Sequence, residues 1–221
     1  MKNTMSSDSD LKTAVLAELK WEPSVNAAHI GVTTHAGIVT LTGHAENYMQ
    51  KLRAEKAASR VRGVNAIAAE IEVKLPFNIK RSDEDIAAAS IDRLGWNTET
   101  RADAIKVKVQ KGWVTLTGTV GWHFEKQAAE KDVRALSGVI GVSNQIVVKP
   151  SIDASNVKKD IETALHRSCF YDPDTIQVAA QGGKITLSGK VSTWNARRLA
   201  GSTAWSAPGA TVVENDITVN Y

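Results

Sequence analysis

The sequence predicts an α+β fold of three tandem αββαβ units, each a three-stranded sheet with two helices on one face. First, a short phrase recurs three times: GIVTLTG at 37–43, GWVTLTG at 112–118 and GKITLSG at 183–189. Second, the blocks 30–73, 105–148 and 176–219 align around it without insertion or deletion. Third, apolar stripes at helical spacing precede and follow each phrase. Self-similarity at a fixed period indicates copies of one small domain.

The repeated phrase predicts the second strand of a β-hairpin. Its β-branched residues alternate between two glycines, and an apolar first strand begins at Ile30, Ile105 or Ile176. We expect the first glycine to close the hairpin turn. We expect the last glycine to end the strand, where the backbone must bend.

A first helix is predicted before each hairpin. In the first copy Asp10 is the candidate N-cap for a stripe that begins at Leu11, and the second copy has an acidic start at 82–85. Ser155 or Asn156 is the candidate cap in the third copy.

A second helix of about 16 residues is predicted after each hairpin. We expect Gly63, Gly138 and Gly209 at its C-terminus, where a left-handed residue is favoured. Aligning the copies gives the inward residues of this helix: Ala54, Ala58 and Val61; Ala129, Val133 and Leu136; Ala200, Ala204 and Ala207.

Short linkers near Pro76 and Pro150 divide the chain into units 1–75, 76–150 and 151–221. Units of this size bury modest cores and are marginally stable alone, so packing between them is plausible. The third strand of each unit is expected to carry Ile71, Ile146 or Ile217.

Composition is that of a soluble globular protein, with 43% hydrophobic and 23% charged residues among 221. A net charge of +3 is too small to indicate nucleic acid. The single cysteine, Cys169, excludes an intrachain disulfide and is interpreted as a small buried or half-buried side chain, with a reactive thiol as the alternative. Neither a secretory signal nor an apolar run of membrane-spanning length is recognised, so a cytoplasmic location is expected.

No nucleophile motif, phosphate-binding loop or dinucleotide fingerprint occurs, so no enzymatic activity and no cofactor are expected. Three histidines flank the first hairpin: His29, His35 and His44. We expect the hairpin ends to separate them, and no metal-ligand spacing is present. The sequence therefore predicts no metal site.

The sheet face away from the helices is the most informative surface. Alternation along the strands points Trp113, Lys106 and Lys108 outward in the middle unit, a combination suited to a membrane interface or a partner. The alternative is that Trp113 packs against a neighbouring unit. The third unit presents Gln177, Lys184 and Asp216 there, which predicts a solvated face.

Aromatic residues also cluster at predicted helix ends. We expect most of them to cap the cores, with interfacial membrane contact as the alternative. Trp96 and Trp122 join Trp113, Lys106 and Lys108 as candidate lipid-binding or partner-binding residues. The whole set is Trp21, Tyr48, Trp96, Trp122, Phe170, Tyr171 and Trp194.

The αββαβ order with this hairpin phrase resembles the BON domain, named for bacterial osmotic-stress and nodulation proteins. The phrases at 37–43, 112–118 and 183–189, the alanines of the second helix and the closing Gly63-Val64 and Gly138-Val139 carry the resemblance. The third copy has Gly209-Ala210 instead. The asparagines Asn144 and Asn215 also match, whereas the first copy has Ala69 there.

The resemblance implies non-catalytic work: attachment to phospholipid surfaces, often in envelope maintenance and osmotic stress. We therefore expect a stress-related protein that binds anionic phospholipid or a membrane-associated partner, and oligomerisation through its sheets is compatible with this. Most members of the family carry a secretion signal or lipoprotein anchor, which makes a periplasmic location the alternative. Two other functions stay open: a cytosolic protein-interaction adaptor, and a potassium or small-cation sensor, since some BON-containing proteins bind potassium.

Overall fold

A computed structural model describes residues 8–149, 157–167 and 175–220. The predictions for Cys169, for the helix cap at Ser155 or Asn156, and for Phe170 and Tyr171 lie outside these residues.

The described elements occur in the predicted order in all three repeats. The first repeat contains α1 (Asp8–Trp21), β1 (Ile30–His35), β2 (Ile38–Ala45), α2 (Tyr48–Ala58) and β3 (Ala66–Val73). The second contains α3 (Asp83–Trp96), β4 (Ile105–Gln110), β5 (Trp113–Val120), α4 (His123–Arg134), β6 (Gly141–Asn144) and β7 (Val147–Val148). The third contains α5 (Val157–His166), β8 (Ile176–Gln181), β9 (Lys184–Val191), α6 (Trp194–Trp205) and β10 (Val212–Val219).

Each repeat has one sheet with its hairpin return strand in the centre. In the first repeat β2 pairs antiparallel with β1 and parallel with β3. The third repeat has the same arrangement in β8, β9 and β10. In the middle repeat β5 lies between β4 and β6, and β7 pairs parallel with β5. The α+β fold of three repeated units is therefore confirmed.

The described residues form two compact units. The first unit contains residues 8–86, 110–113 and 134–141. The second contains 87–109, 114–133 and the described residues from 142 on. In the first repeat α1 and α2 pack on the sheet around Val15, Leu19 and Leu41. In the third repeat α5 and α6 pack around Ile161, Leu165 and Leu187.

The alanines predicted to face inward on the second helix are buried. Ala54, Ala129 and Ala200 are each 0% exposed, and a methyl side chain lets the helix backbone lie close to the sheet. The predicted helix length is wrong, because α2, α4 and α6 span only 11, 12 and 12 residues. The glycines expected at the helix end come after a further turn, and all three have positive φ: Gly63 (94°), Gly138 (92°) and Gly209 (87°).

The two glycines of the repeated phrase have different roles. Gly37, Gly112 and Gly183 close the hairpin turns with φ of 77–84°, as predicted. The prediction that the last glycine ends the strand is wrong, because β2, β5 and β9 each continue beyond it. That glycine lies against the residue before the first strand: a Cβ at Gly118 would be 2.0 Å from the carbonyl oxygen of Ala104.

An acidic residue at the start of the first helix holds the hairpin turn. Asp83 accepts hydrogen bonds from the backbone N–H groups of Lys111 (2.7 Å) and Gly112 (2.8 Å). Asp8 accepts one from Ala36 N–H at 3.3 Å. Helix α1 spans Asp8–Trp21, so the predicted cap Asp10 lies inside the helix.

Candidate functional site

Strand alternation places the predicted residues of the middle repeat on the open sheet face. Lys106 and Lys108 are exposed on β4, Trp113 is 48% exposed on β5 and Val147 is 52% exposed on β7. The inward neighbours Val114 and Leu116 are fully buried. Trp113, Lys106 and Lys108 are thus exposed on adjacent strands, and what they bind stays a prediction.

The indole of Trp113 lies over a glycine on the same sheet. A Cβ added to Gly141 would be 2.4 Å from the Trp113 ring, so only glycine leaves room for the indole in this position. The equivalent residues in the other repeats are Ala66, which pairs with Ile38, and Val212, which pairs with Lys184. Trp113 therefore packs against Gly141 of its own sheet, and about half of its surface remains accessible.

The three open sheet faces differ in charge. The first presents Glu70 and Glu72 on β3, beside Thr42 and His44 of β2. On the third face Lys184 and Lys190 are balanced by Glu214 and Asp216, which lie on the neighbouring strand.

The open sheet face of the middle repeat is basic, whereas that of the first repeat is acidic. The third-strand positions that hold acids in the other repeats are occupied by Ser143, Gln145 and Val147. None of the outward positions of this sheet, all of which are described, carries a carboxylate, while Lys106 and Lys108 contribute two positive charges. The middle repeat therefore combines an exposed indole with an uncompensated basic surface.

Trp96 and Trp122 do not lie on this face. Trp96 is the last residue of α3 and is 87% exposed. Trp122 precedes α4 and is 36% exposed, and its backbone N–H donates to the buried Glu125 carboxylate at 2.8 Å. The structure therefore brings together Trp113, Lys106 and Lys108 and leaves the other two tryptophans at helix ends.

Most of the helix-end aromatics were expected to cap the cores, and two of them, Trp21 and Trp96, do not. Trp21 is 83% exposed, and Trp96 occupies the equivalent position in the second repeat. The buried side chains at these helix ends are instead Leu19 and Leu94, which lie two residues earlier. In the third repeat Trp194 is partly covered by Arg197, whose guanidinium carbon lies 5.3 Å from the ring centre.

The histidines of the first repeat are only partly separated. His29 and His44 stack at a centroid distance of 4.4 Å because Ile30 pairs with Gly43 and so aligns the residues beside them. The expectation that the hairpin ends separate all three is therefore wrong for this pair, while His35 lies at the other end. Within residues 8–149, 157–167 and 175–220 no group of three or more potential ligands could hold a metal ion.

A different histidine has a perturbed environment. His123 stacks on Trp205 with ring centroids 3.6 Å apart, and its Nδ1 is buried with no partner in the described part of the chain. Burial, with a smaller contribution from Lys126, lowers the pKa of His123 to about 4. Sequence reasoning missed this contact, because the two residues come from different repeats.

No helix among the described ranges is long and apolar enough to cross a membrane.

Comparisons with known proteins identify all three repeats. The family model described as BON domain matches residues 7–74, 82–150 and 153–221. Osmotically-inducible protein Y of Escherichia coli K12 is 28% identical over 146 residues, which cover 64% of this chain and 73% of that protein.

Two solved structures were also compared. Both are of CdsD, a structural protein of the type III secretion system of Chlamydia trachomatis, one of them its C-terminal domain. Each is 16% identical to this chain with a TM-score of 0.27, covering 96% of this chain and 92% or 98% of the other. A score this low carries no argument about fold or function.

Proposed function

Because the chain belongs to the BON-domain family and carries three copies of the domain, we propose that it is a non-catalytic, stress-related protein that attaches to anionic phospholipid membranes through the open sheet face of its middle repeat. The observation that carries this proposal is the basic, tryptophan-bearing face of β4 and β5, which has no acidic residue. The proposal applies to a cytoplasmic and to a periplasmic location alike.

The chemistry of this face suits the interface of an anionic bilayer. Lysine side chains reach headgroup phosphates while their methylene stems remain on the apolar side, and indole rings favour the same depth. Each lysine near an anionic surface contributes about 1 kcal/mol at physiological salt. The acidic first face and the neutral third face lack this attraction, so the middle repeat is the one that attaches.

The relation to stress is supported by the similarity to osmotically-inducible protein Y. Osmotic induction is what that protein's name states, and we extend it to this chain as part of the proposal.

Co-sedimentation with vesicles that contain phosphatidylglycerol tests which tryptophans are used. Trp113→Ala should weaken partitioning roughly 5- to 30-fold, because an interfacial indole contributes about 1–2 kcal/mol. Trp96→Ala tests whether the helix end adds to the contact, alone and combined with Trp113→Ala. Trp21→Ala, which removes an 83% exposed indole from the end of the first helix in the first repeat, is the control. If Trp113→Ala binds as well as wild type, the assignment of the face is wrong.

A second candidate function is a protein-interaction adaptor. Among the strands that the structure describes, β1, β3, β8 and β10 are the edge strands of the sheets in the first and third repeats. An unpaired strand edge can accept an extended peptide as an additional strand. This function predicts retention of specific proteins in a pull-down by a chain that does not bind vesicles.

A further inference from the structure

A cavity of about 310 Å³ lies in the second compact unit, and its lining includes none of Trp113, Lys106 and Lys108. The start of α4 contributes Trp122, His123, Phe124 and Gln127 to its lining. The last turn of α6 and the residue after it contribute Ser202, Trp205 and Ser206. This volume is at the lower end of the range for small-molecule sites.

The walls of the cavity are mainly aromatic. Trp122 and Phe124 form a tilted pair with centroids 6.5 Å apart, and the His123 ring lies almost parallel to Trp205, at 10°. Such rings attract another flat ring by stacking or edge-to-face contact in addition to the burial of apolar area. The walls therefore favour a planar aromatic ligand.

The cavity offers no charge to a ligand. Among the residues that the structure describes, its lining contains no carboxylate, lysine or arginine, and the lowered pKa leaves His123 neutral at pH 7. An ionised ligand would lose hydration there without gaining a partner of opposite charge. The ligand is therefore uncharged.

The polar groups of the lining include several hydrogen-bond acceptors. Ser202 Oγ donates to the Leu199 carbonyl and Ser206 Oγ donates to the Ser202 carbonyl, each at 2.9 Å. Both hydroxyl protons are thereby used, and the oxygen lone pairs remain to accept. The Gln127 side chain adds a third acceptor in its amide oxygen, beside the donor N–H groups of the same amide. A ligand with an N–H or O–H group matches these acceptors.

We propose that this cavity binds a small, uncharged aromatic molecule carrying one N–H or O–H donor, of the indole or phenol class. The aromatic walls provide stacking, and the serine and glutamine oxygens orient the donor. This site is separate from the membrane-binding face of Trp113, Lys106 and Lys108, so either assignment stands if the other fails.

Indole is the probe, with calorimetry and saturation-transfer NMR as readouts on the full chain. A nine-atom ligand in a half-open cavity should bind with a Kd on the order of 0.1–1 mM. Tryptamine and indole-3-acetate, which add a positive and a negative charge, should each bind at least about tenfold more weakly. Equal binding of the three compounds would overturn the assignment to uncharged ligands.

Two variants locate the binding. Trp205→Leu removes one wall, and Ser202→Leu fills the cavity from an exposed helix position without removing a core side chain. Both should weaken indole binding at least about tenfold, whereas Trp21→Leu should leave it unchanged. Undiminished binding by Ser202→Leu, or no saturable binding to wild type up to about 5 mM, would overturn the proposal.

Discussion

Gly118 has φ of 141°, and the carbonyl oxygen of Ala104 occupies the space that its Cβ would need. Gly43 and Gly189 have φ of 105° and 127° and the same close approach to a carbonyl. Only glycine allows this contact at a positive φ. The sequence shows that glycine recurs at this position. It does not show whether that glycine lies inside the strand or at its end, because both give the same repeated phrase.

Replacing Gly118 with alanine should therefore destabilise the protein by about 2–4 kcal/mol, because both the backbone conformation and the contact with Ala104 must change. The free energy of unfolding in urea measures this. Gly95→Ala is the matched control, because Gly95 lies in α3 and an added Cβ there would meet no atom within 4 Å. That variant should gain about 0.5–1 kcal/mol from helix propensity. Equal effects of the two changes would contradict the account.

The pH dependence of stability is set in part by His123. Its pKa of about 4 in the folded state lies below the ordinary value of 6.5, so the unfolded chain binds the proton first. Stability is therefore present above pH 6.5 and falls as pH falls from about 6.5 to about 4. Because the ring is only half-buried, solvent screening reduces the loss to about 1–2 kcal/mol.

His123→Phe tests this linkage. The phenyl ring can still stack on Trp205 but binds no proton, so this part of the stability loss between pH 6.5 and 4 should disappear. Urea unfolding at several pH values measures it, with His35→Phe, at a 91% exposed side chain, as the control for the added ring. A variant whose stability falls as steeply as that of wild type would rule out His123 as the titrating group.

At the scale of elements, the first helix of two repeats is tied to the hairpin turn by one acidic side chain. Asp83 accepts from two successive N–H groups of the turn, and Lys111 there has a positive φ of 53°. The third repeat has Ala154 at the equivalent position and two glycines, Gly182 and Gly183, in the turn. Glycine adopts positive φ without strain, so that turn does not need the same support.

Asp83→Ala should cost about 1–2 kcal/mol of stability, because two turn N–H groups lose a charged acceptor. Glu84→Ala removes a neighbouring exposed carboxylate that does not bind the turn, and it should change stability by less than about 0.5 kcal/mol. Thermal unfolding of the two variants side by side measures the difference. Indistinguishable melting temperatures would show that the turn is held by other contacts.

Element order was predictable from the sequence, whereas some boundaries were not. Period-2 alternation and i, i+4, i+7 spacing are local, so they identified the hairpins and the buried alanines of α2, α4 and α6. The same spacing continues to Val61, Leu136 and Ala207, which lie in the turn after the helix, so the helix was predicted too long. The third strand of the middle repeat divides into β6 and β7, although its apolar pattern matches the continuous strands β3 and β10.

At the scale of the whole molecule, three copies of one scaffold present three different open sheet faces. The core positions repeat because the fold constrains them, and repetition made the fold class predictable. The outward residues are free to diverge, and their charges run from acidic through basic to balanced along the chain. Alternation alone assigned Trp113, Lys106 and Lys108 to one face, but the stacking of His123 on Trp205 required three-dimensional information.

Flotation with vesicles of increasing phosphatidylglycerol content, at low and high salt, tests the central claim most directly. Wild-type protein should bind more as anionic lipid increases and less as salt increases. The double variant Lys106→Gln, Lys108→Gln should bind roughly 10- to 30-fold more weakly, because two lysines contribute about 2 kcal/mol. Lys190→Gln, on the balanced third face, should bind like wild type. Absence of flotation at low salt, or equal binding by the double variant, would contradict membrane attachment through the middle repeat.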